Sequence, residues 1–261
     1  MNHQIFLFFQ WFKRDLAGRY RGSWLGLSWL FVQPLAQIGV FTLIFHGFMQ
    51  VRWPLAAGAQ QGDAWTYALN TLAGLAVFNF FAEVLTRAPI AVLSQPNLVT
   101  KVRFPLPILP LVTVSVALVH VGVGVVLLAA DSIATGNWSG TYAWLALWLP
   151  PVLLYGTSIA FLLASAGLYV RDLGQAMPAV SSLLMLLTPI FYPMSAVPAN
   201  LRDLFEMNPV AWAVESLRGF MLADQGLDWS QWGAHLLFSI LAVIGAYWVF
   251  RRLQAGFADV L

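Results

Sequence analysis

The chain reads as an all-α polytopic membrane protein with six membrane-spanning helices and both termini on the cytoplasmic side. Three observations carry that reading. Of 261 residues, 60% are hydrophobic and only 9% are charged, whereas a soluble domain carries about 25% charged residues. The mean hydropathy is +0.75. The few charges stand as fences around long apolar runs, each near the ~20 residues that a helix needs to cross ~30 Å of hydrocarbon. Barrel strands would be about half as long and would alternate in polarity.

Taken in order, the spans fall at residues 24–48, 66–82, 107–130, 142–169, 177–192 and 229–250. Gly22 to Val51 is free of charge, and so is the stretch between Arg103 and Asp131. Pro34 and Pro189 are expected to kink the first and fifth spans by freeing backbone carbonyls. In the fourth, Gly156, Ala160 and Ala164 form a ladder of small residues suited to close helix packing.

Orientation follows from the short loops. With the N-terminus inside, the cytoplasmic pieces hold ten basic residues (Lys13, Arg14, Arg19, Arg21, Arg87, Lys101, Arg103, Arg171, Arg251, Arg252) against four acidic ones. The outer pieces hold three basic residues against seven acidic. Trp138, Trp144, Trp148, Trp229 and Trp232 gather at the outer ends of spans, and Trp24 and Trp248 at the inner ends, as interfacial indoles do.

Three segments are not plain spans. Residues 1–22 place Ile5, Phe8, Phe9, Phe12 and Leu16 on one helical face, with charges mostly elsewhere, which predicts a helix lying in the inner interface. No cleavage site follows it, so it is expected to be retained. The cytoplasmic loop from Glu83 to Pro110 is rich in proline, places Glu83 and Arg87 at the i,i+4 spacing of a helix-surface pair, and contains a basic amphipathic stretch over 97–104. The outer segment 198–223 holds apolar residues at helical spacing but too few to cross; Asn208-Pro209 reads as an N-cap followed by proline at the first helical position.

Chemistry is sparse. There is no phosphate-cradling loop of the G-x-x-x-x-G-K-[ST] type, no zinc-protease helix and no nucleophile elbow, so ATP hydrolysis is not expected of this chain. Cysteine is absent and the four histidines are scattered, leaving no metal set. No catalytic residue and no nucleic-acid partner is expected. Trp29, Gln33 and Gln37 share one face of the first span: either interhelical hydrogen bonding or a polar, aromatic strip along a sugar path. Arg14, Arg19 and Arg21 are either ordinary inner-side anchors or steering groups for a lipid diphosphate.

The stretch from Arg14 to Pro34, R-D-L-A-G-R-Y-R-G-S-W-L-G-L-S-W-L-F-V-Q-P, resembles the start of the type-2 ABC exporter permeases for cell-surface polysaccharides. The resemblance continues at Asn97–Pro105, Leu109–Leu111, Tyr169–Leu173, Pro189–Pro193, and Asn208-Pro209 with Arg218. It implies a homodimer in the bacterial cytoplasmic membrane, paired with two separate P-loop ATPase subunits that hold the ATP and magnesium. The implied substrate is an O-antigen-type polysaccharide on polyprenyl diphosphate. Carried onto this sequence, the resemblance makes the N-terminal helix and the segment with Asn97, Lys101, Arg103 and Phe104 the ATPase-coupling elements. It makes Asn208, Pro209 and Arg218 part of an outer gate. Two other readings stay open: a permease of the same superfamily for teichoic acid, a drug or a small lipid, and an intramembrane enzyme acting on lipid-linked sugars through Asp172, Glu83 or Asp131.

Overall fold

The computed structural model describes residues 3–54, 62–102 and 104–260, and every regular element among them is helical. Helix α1 (His3–Tyr20) is followed by a short 3-10 turn and α2 (Trp29–Phe41), which runs on as a π-helix over Thr42–Phe48. Then come α3 (Ala64–Ala91), α4 (Pro96–Thr100), α5 (Ile108–Thr135), α6 (Leu145–Tyr169) and α7 (Leu173–Leu186). Short α8 (Arg202–Glu206), α9 (Pro209–Leu222), the long α10 (Trp229–Gln254) and terminal α11 (Phe257–Val260) complete the chain. Among the described residues, five helical stretches are long and apolar enough to cross a membrane: Gly26–Phe48, α3, α5, Gly140–Tyr169 and α10.

The bundle is organised around α3, which packs against α5, α6, α7 and α9. Side-chain size decides how close these helices come. A Cβ on Gly156 or Gly167 of α6 would collide with Phe80 or with the carbonyl of Pro89, both on α3, and one on Gly124 of α5 with Ala76. Ala160 and Ala164 are fully buried on the same side of α6. The small-residue ladder is therefore a packing seam. By contrast, Ile38 is the one buried residue of Gly26–Phe48, and α10 buries only His235, Ser239, Ala246 and Phe250.

Several boundaries depart from the sequence expectation. The second span extends well beyond Ala82: α3 continues to Ala91 through Pro89, so Glu83 and Arg87 lie on a helix and not in a loop. A proline near the end of a helix costs one hydrogen bond, and here tight packing against α6 holds the last turns in place. The fifth span is not a single helix over 177–192. Helix α7 covers Leu173–Leu186, about 21 Å at ~1.5 Å per residue, and the chain then leaves the helical path at Leu187. Pro189 breaks the helix where a kink was expected. Thr188, Ile190 and Phe191 are nonetheless buried. The coupling stretch 97–104 is helical only over α4, and the segment 198–223 divides into α8 and α9.

On α1, the face turned to the bundle is Leu7, Phe8, Trp11, Phe12 and Leu16, packed on Ile108, Val112 and Val116 of α5. Ile5 and Phe9, expected on that face, are exposed together with Phe6. The helix is apolar on two sides. One is used by α5 and the other faces outward, as suits an interfacial helix docked on a bundle.

Candidate functional site

The functional candidates gather at the two ends of the bundle. At the end carrying α1, pieces far apart in sequence form one unit. The Trp11 ring of α1 meets Phe104 with centroids 5.5 Å apart. Leu98 and Val99 of α4 join the same apolar cluster, together with Phe250 and fully buried Phe257 of α11. Asn97 and Lys101 point to solvent from this unit; Arg103 lies outside the described residues. The two segments expected to couple to an ATPase thus meet in one apolar cluster, with α1 braced by aromatic packing against Phe104, just beyond α4.

The unit is fastened to the bundle by charge. Glu83 on α3 is only 9% exposed and forms ion pairs with Arg19 of α1 and, at 3.3 Å, with Arg87 one turn on. His120 of α5 places Nδ1 2.8 Å from the other carboxylate oxygen. Arg19 also donates to Asp15 at 3.0 Å. Burial, with the nearby Arg87 charge, pulls the Arg19 guanidinium below its ordinary value, while Asp15 acts the other way. Arg19, Asp15, Glu83 and Arg87 balance charge for charge, and the buried pair at the centre, Arg19 with Glu83, requires that match. Glu83 was visible in the sequence as half of a Glu83–Arg87 helix pair; its bonds to Arg19 and His120 had no local signal.

The three candidate arginines therefore separate. Arg19 is committed to Glu83 and Asp15. Arg14 is exposed and lies over the Trp11 ring at 3.4 Å from its centroid, and Arg21 is exposed. Arg14, Arg21 and Lys13 border a groove of about 760 Å³, whose other walls include Leu16, Ala17 and Leu27. An apolar trough with a cationic rim accepts an amphiphile with an anionic head.

The first-span candidates also part company. Trp29 is exposed, its indole N–H donating to Ser23 at 2.8 Å. Gln33 is exposed. Gln37 turns toward the bundle and accepts from Asn79 of α3 at 3.3 Å.

At the opposite end stands Arg218 of α9, 4% exposed. The break after α7 leaves carbonyls without helical partners, and the guanidinium supplies them. It donates to Pro189 O at 2.5 Å, to Ile190 O at 2.8 Å and to Asn70 O of α3 at 3.0 Å. Glu215 pairs with it at 2.6 Å, and the Trp53 ring lies 4.4 Å from its charge. Non-helical backbone at this depth survives only if its polar groups are met by protein, and the five-donor fork of arginine meets three carbonyls at once. Tyr67 adds a fourth bond, to Phe191 O at 2.9 Å. Asn208 caps α9 by accepting from Val210 N at 3.0 Å, with Pro209 in the first turn, and its amide donates to Leu187 O at 3.4 Å. Asn208, Pro209 and Arg218 therefore act together, tying α9 to the broken helix.

Comparison with known proteins agrees with this architecture. Over 95% of its length the chain is 25% identical to the O-antigen export system permease protein RfbA of Myxococcus xanthus, covering 92% of that protein. Two proteins of the same name from Klebsiella pneumoniae are 23% and 24% identical, again over 95% of this chain and 92% of theirs. Residues 7–222 match the family model described as ABC-2 type transporter. A multi-pass helical bundle matched to that model over most of its length leaves one conclusion: the chain belongs to the ABC-2 type transporter family.

Proposed function

We propose that this chain is the non-catalytic permease subunit of an ATP-driven exporter of O-antigen-type polysaccharide in the bacterial cytoplasmic membrane. It works as a homodimer with two copies of a separate P-loop ATPase, on a glycan carried by polyprenyl diphosphate. The relatives' names support the cargo class. The single structural observation that carries the lipid-linked form is the basic-rimmed groove beside α1: Lys13, Arg14 and Arg21 suit the diphosphate, and its apolar walls suit the first isoprene units. The nearly bare stretch Gly26–Phe48, with Trp29 and Gln33 on its surface, is the natural seam for a second copy. In that seam Trp29 and Gln33 line the sugar path, while Gln37, the third candidate, holds the first span to α3 through Asn79.

The motor acts through the α1–α4 cluster, with Asn97, Lys101, Arg103 and Phe104 as its handle. Docking of α1 by Glu83 passes that motion to α3 and α5. Two of the three carboxylates that an intramembrane enzyme would use have other partners: Glu83 is ion-paired, and Asp131 accepts from the Trp65 indole at 2.9 Å.

The test is reconstitution with the partner ATPase and a lipid-linked glycan. ATP-dependent translocation is expected, with substrate-stimulated ATPase falling about tenfold in Arg14→Gln/Arg21→Gln while basal ATPase persists, as expected when charge-assisted bonds to phosphate are lost. Translocation without any ATPase partner, or full stimulation in the double variant, would overturn the reading. Intact surface glycan after depletion, with altered drug sensitivity, would favour a different cargo.

A further inference from the structure

The bundle end opposite the groove carries a second, larger cavity that export through a central seam does not use. It measures about 990 Å³ and lies within one protomer, between the start of α3, the end of α5 and the end of α9. That is the top of the size range of about 300–1,000 Å³ for ligand sites. The loop charges assign this end to the exterior.

Its rim holds two bare indoles, Trp65 at 60% and Trp138 at 59% exposure. Both rings are fixed. The Trp65 N–H donates to Asp131 Oδ1 at 2.9 Å across the cavity wall. Trp138 is braced edge-on by Tyr142, with centroids 4.5 Å apart, and the Tyr142 hydroxyl is tied to Ser132 at 2.5 Å. An indole that only anchors a bundle in lipid keeps its N–H for headgroup and water. The Trp65 N–H is used inside the protein, so what that side chain offers is its ring face.

The rest of the lining mixes hydroxyl and amide side chains, notably Thr66, Asn70, Thr135 and Asn137, with apolar ones such as Leu69 and Leu128. The charges present are Asp131, Glu215, Asp224 and Arg218, and the guanidinium is already spent on three carbonyls and Glu215. The cavity is therefore net acidic. Rigid aromatic faces beside planar amides and carboxylates fit a sugar ring, which turns C–H groups to the plate and hydroxyls to the polar atoms. A negative lining repels phosphate and uronic acids.

We propose that this cavity is an outward-facing saccharide site that holds a neutral or amino-sugar segment of the glycan as it leaves the conduit. The identity of the glycan rests on the exporter reading; the site and its chemical class do not. Grip at the exit would bias a partly exported chain against slipping back.

The test uses the purified permease in lipid nanodiscs. The probe is the source bacterium's own surface polysaccharide, freed from lipid by mild acid and cut to a few repeat units, with empty nanodiscs as the control. Saturation-transfer NMR and titration calorimetry are expected to show saturable binding. Binding becomes about tenfold weaker in Trp65→Ala and in Trp138→Ala, each the loss of one aromatic face. Both side chains are more than half exposed, so the variants keep the fold. Trp248→Ala, which removes an equally bare indole at the other end, leaves binding unchanged. No saturation in wild type, wild-type affinity in both cavity variants, or preference for an oligogalacturonate over the neutral probe would each overturn the proposal. Export in the reconstituted transporter separates the two readings. Export without binding removes this site alone, and binding without ATP-driven export removes the exporter reading and leaves the site.

Discussion

Replacing Glu83 with glutamine tests whether charge docks the interfacial helix. The carboxylate and its partner Arg19 are each 9% exposed. Removing one member of a buried pair costs about 3–5 kcal/mol, because the other charge is left unmatched. Here the lower figure applies: Asp15 stays 3.0 Å from Arg19, and Arg87, 48% exposed, can relax into water. A loss of about 3 kcal/mol raises the equilibrium for α1 undocking roughly a hundredfold. The chain has no cysteine, so a single Val116→Cys, on the α5 face that α1 covers and only 1% exposed, reports undocking by its rate of maleimide labelling in the folded protein. Glu83→Gln is expected to label about a hundredfold faster. Arg19→Gln/Glu83→Gln should fall well short of the summed single effects, since neither charge is then stranded. A Glu83→Gln labelling rate within threefold of wild type, or strict additivity in the double variant, would refute the docking argument.

Arg218→Met strands the carbonyls of Pro189 and Ile190, at about 1–3 kcal/mol for each buried group left unpaired, while that of Asn70 keeps its helical partner within α3. Thermal unfolding in detergent should show a loss of about 2 kcal/mol or more, with a smaller one for Arg218→Lys; a loss below about 1 kcal/mol would mean the break after α7 is held otherwise. Gly167→Ala drives a methyl into the Pro89 carbonyl and should cost about 1–3 kcal/mol, whereas Gly122→Ala, with open space at its Cβ, should stay within about 1 kcal/mol of wild type. At the start of α3 the Asp63 carboxylate is held below its ordinary value by the Thr66 backbone N–H and hydroxyl. Its contribution to stability is complete above the ordinary aspartate pKa and is lost as the pH falls through the lowered native value. Asp63→Asn should keep the cap and flatten that part of the pH profile of unfolding, and an unchanged acid limb would remove Asp63 as its source.

Sparse charge and long apolar runs were enough to read a helical bundle in a membrane, because only helices and closed barrels hide their backbone polarity in lipid, and unbroken apolar runs of this length fit helices alone. The Asn208-Pro209 cap was equally readable, since a helix start is decided within four residues. Local pattern misled where partners are distant. Glu83 was readable only as a partner for Arg87, because nothing near it in sequence reveals Arg19 and His120. The fifth span looked continuous because hydropathy is blind to whether an apolar stretch is helical, and Arg218, arriving on α9, together with Tyr67 of α3 lets Thr188–Phe191 stay unwound and buried. Arg14, Arg19 and Arg21 are one chemical type a few residues apart, yet rotation about the helix axis sends Arg19 into an ion pair and leaves Arg14 and Arg21 at a groove. Solvent preference is a property of each residue and can be read along the chain; the pairing of buried charges and carbonyls depends on groups that folding alone brings within 3 Å.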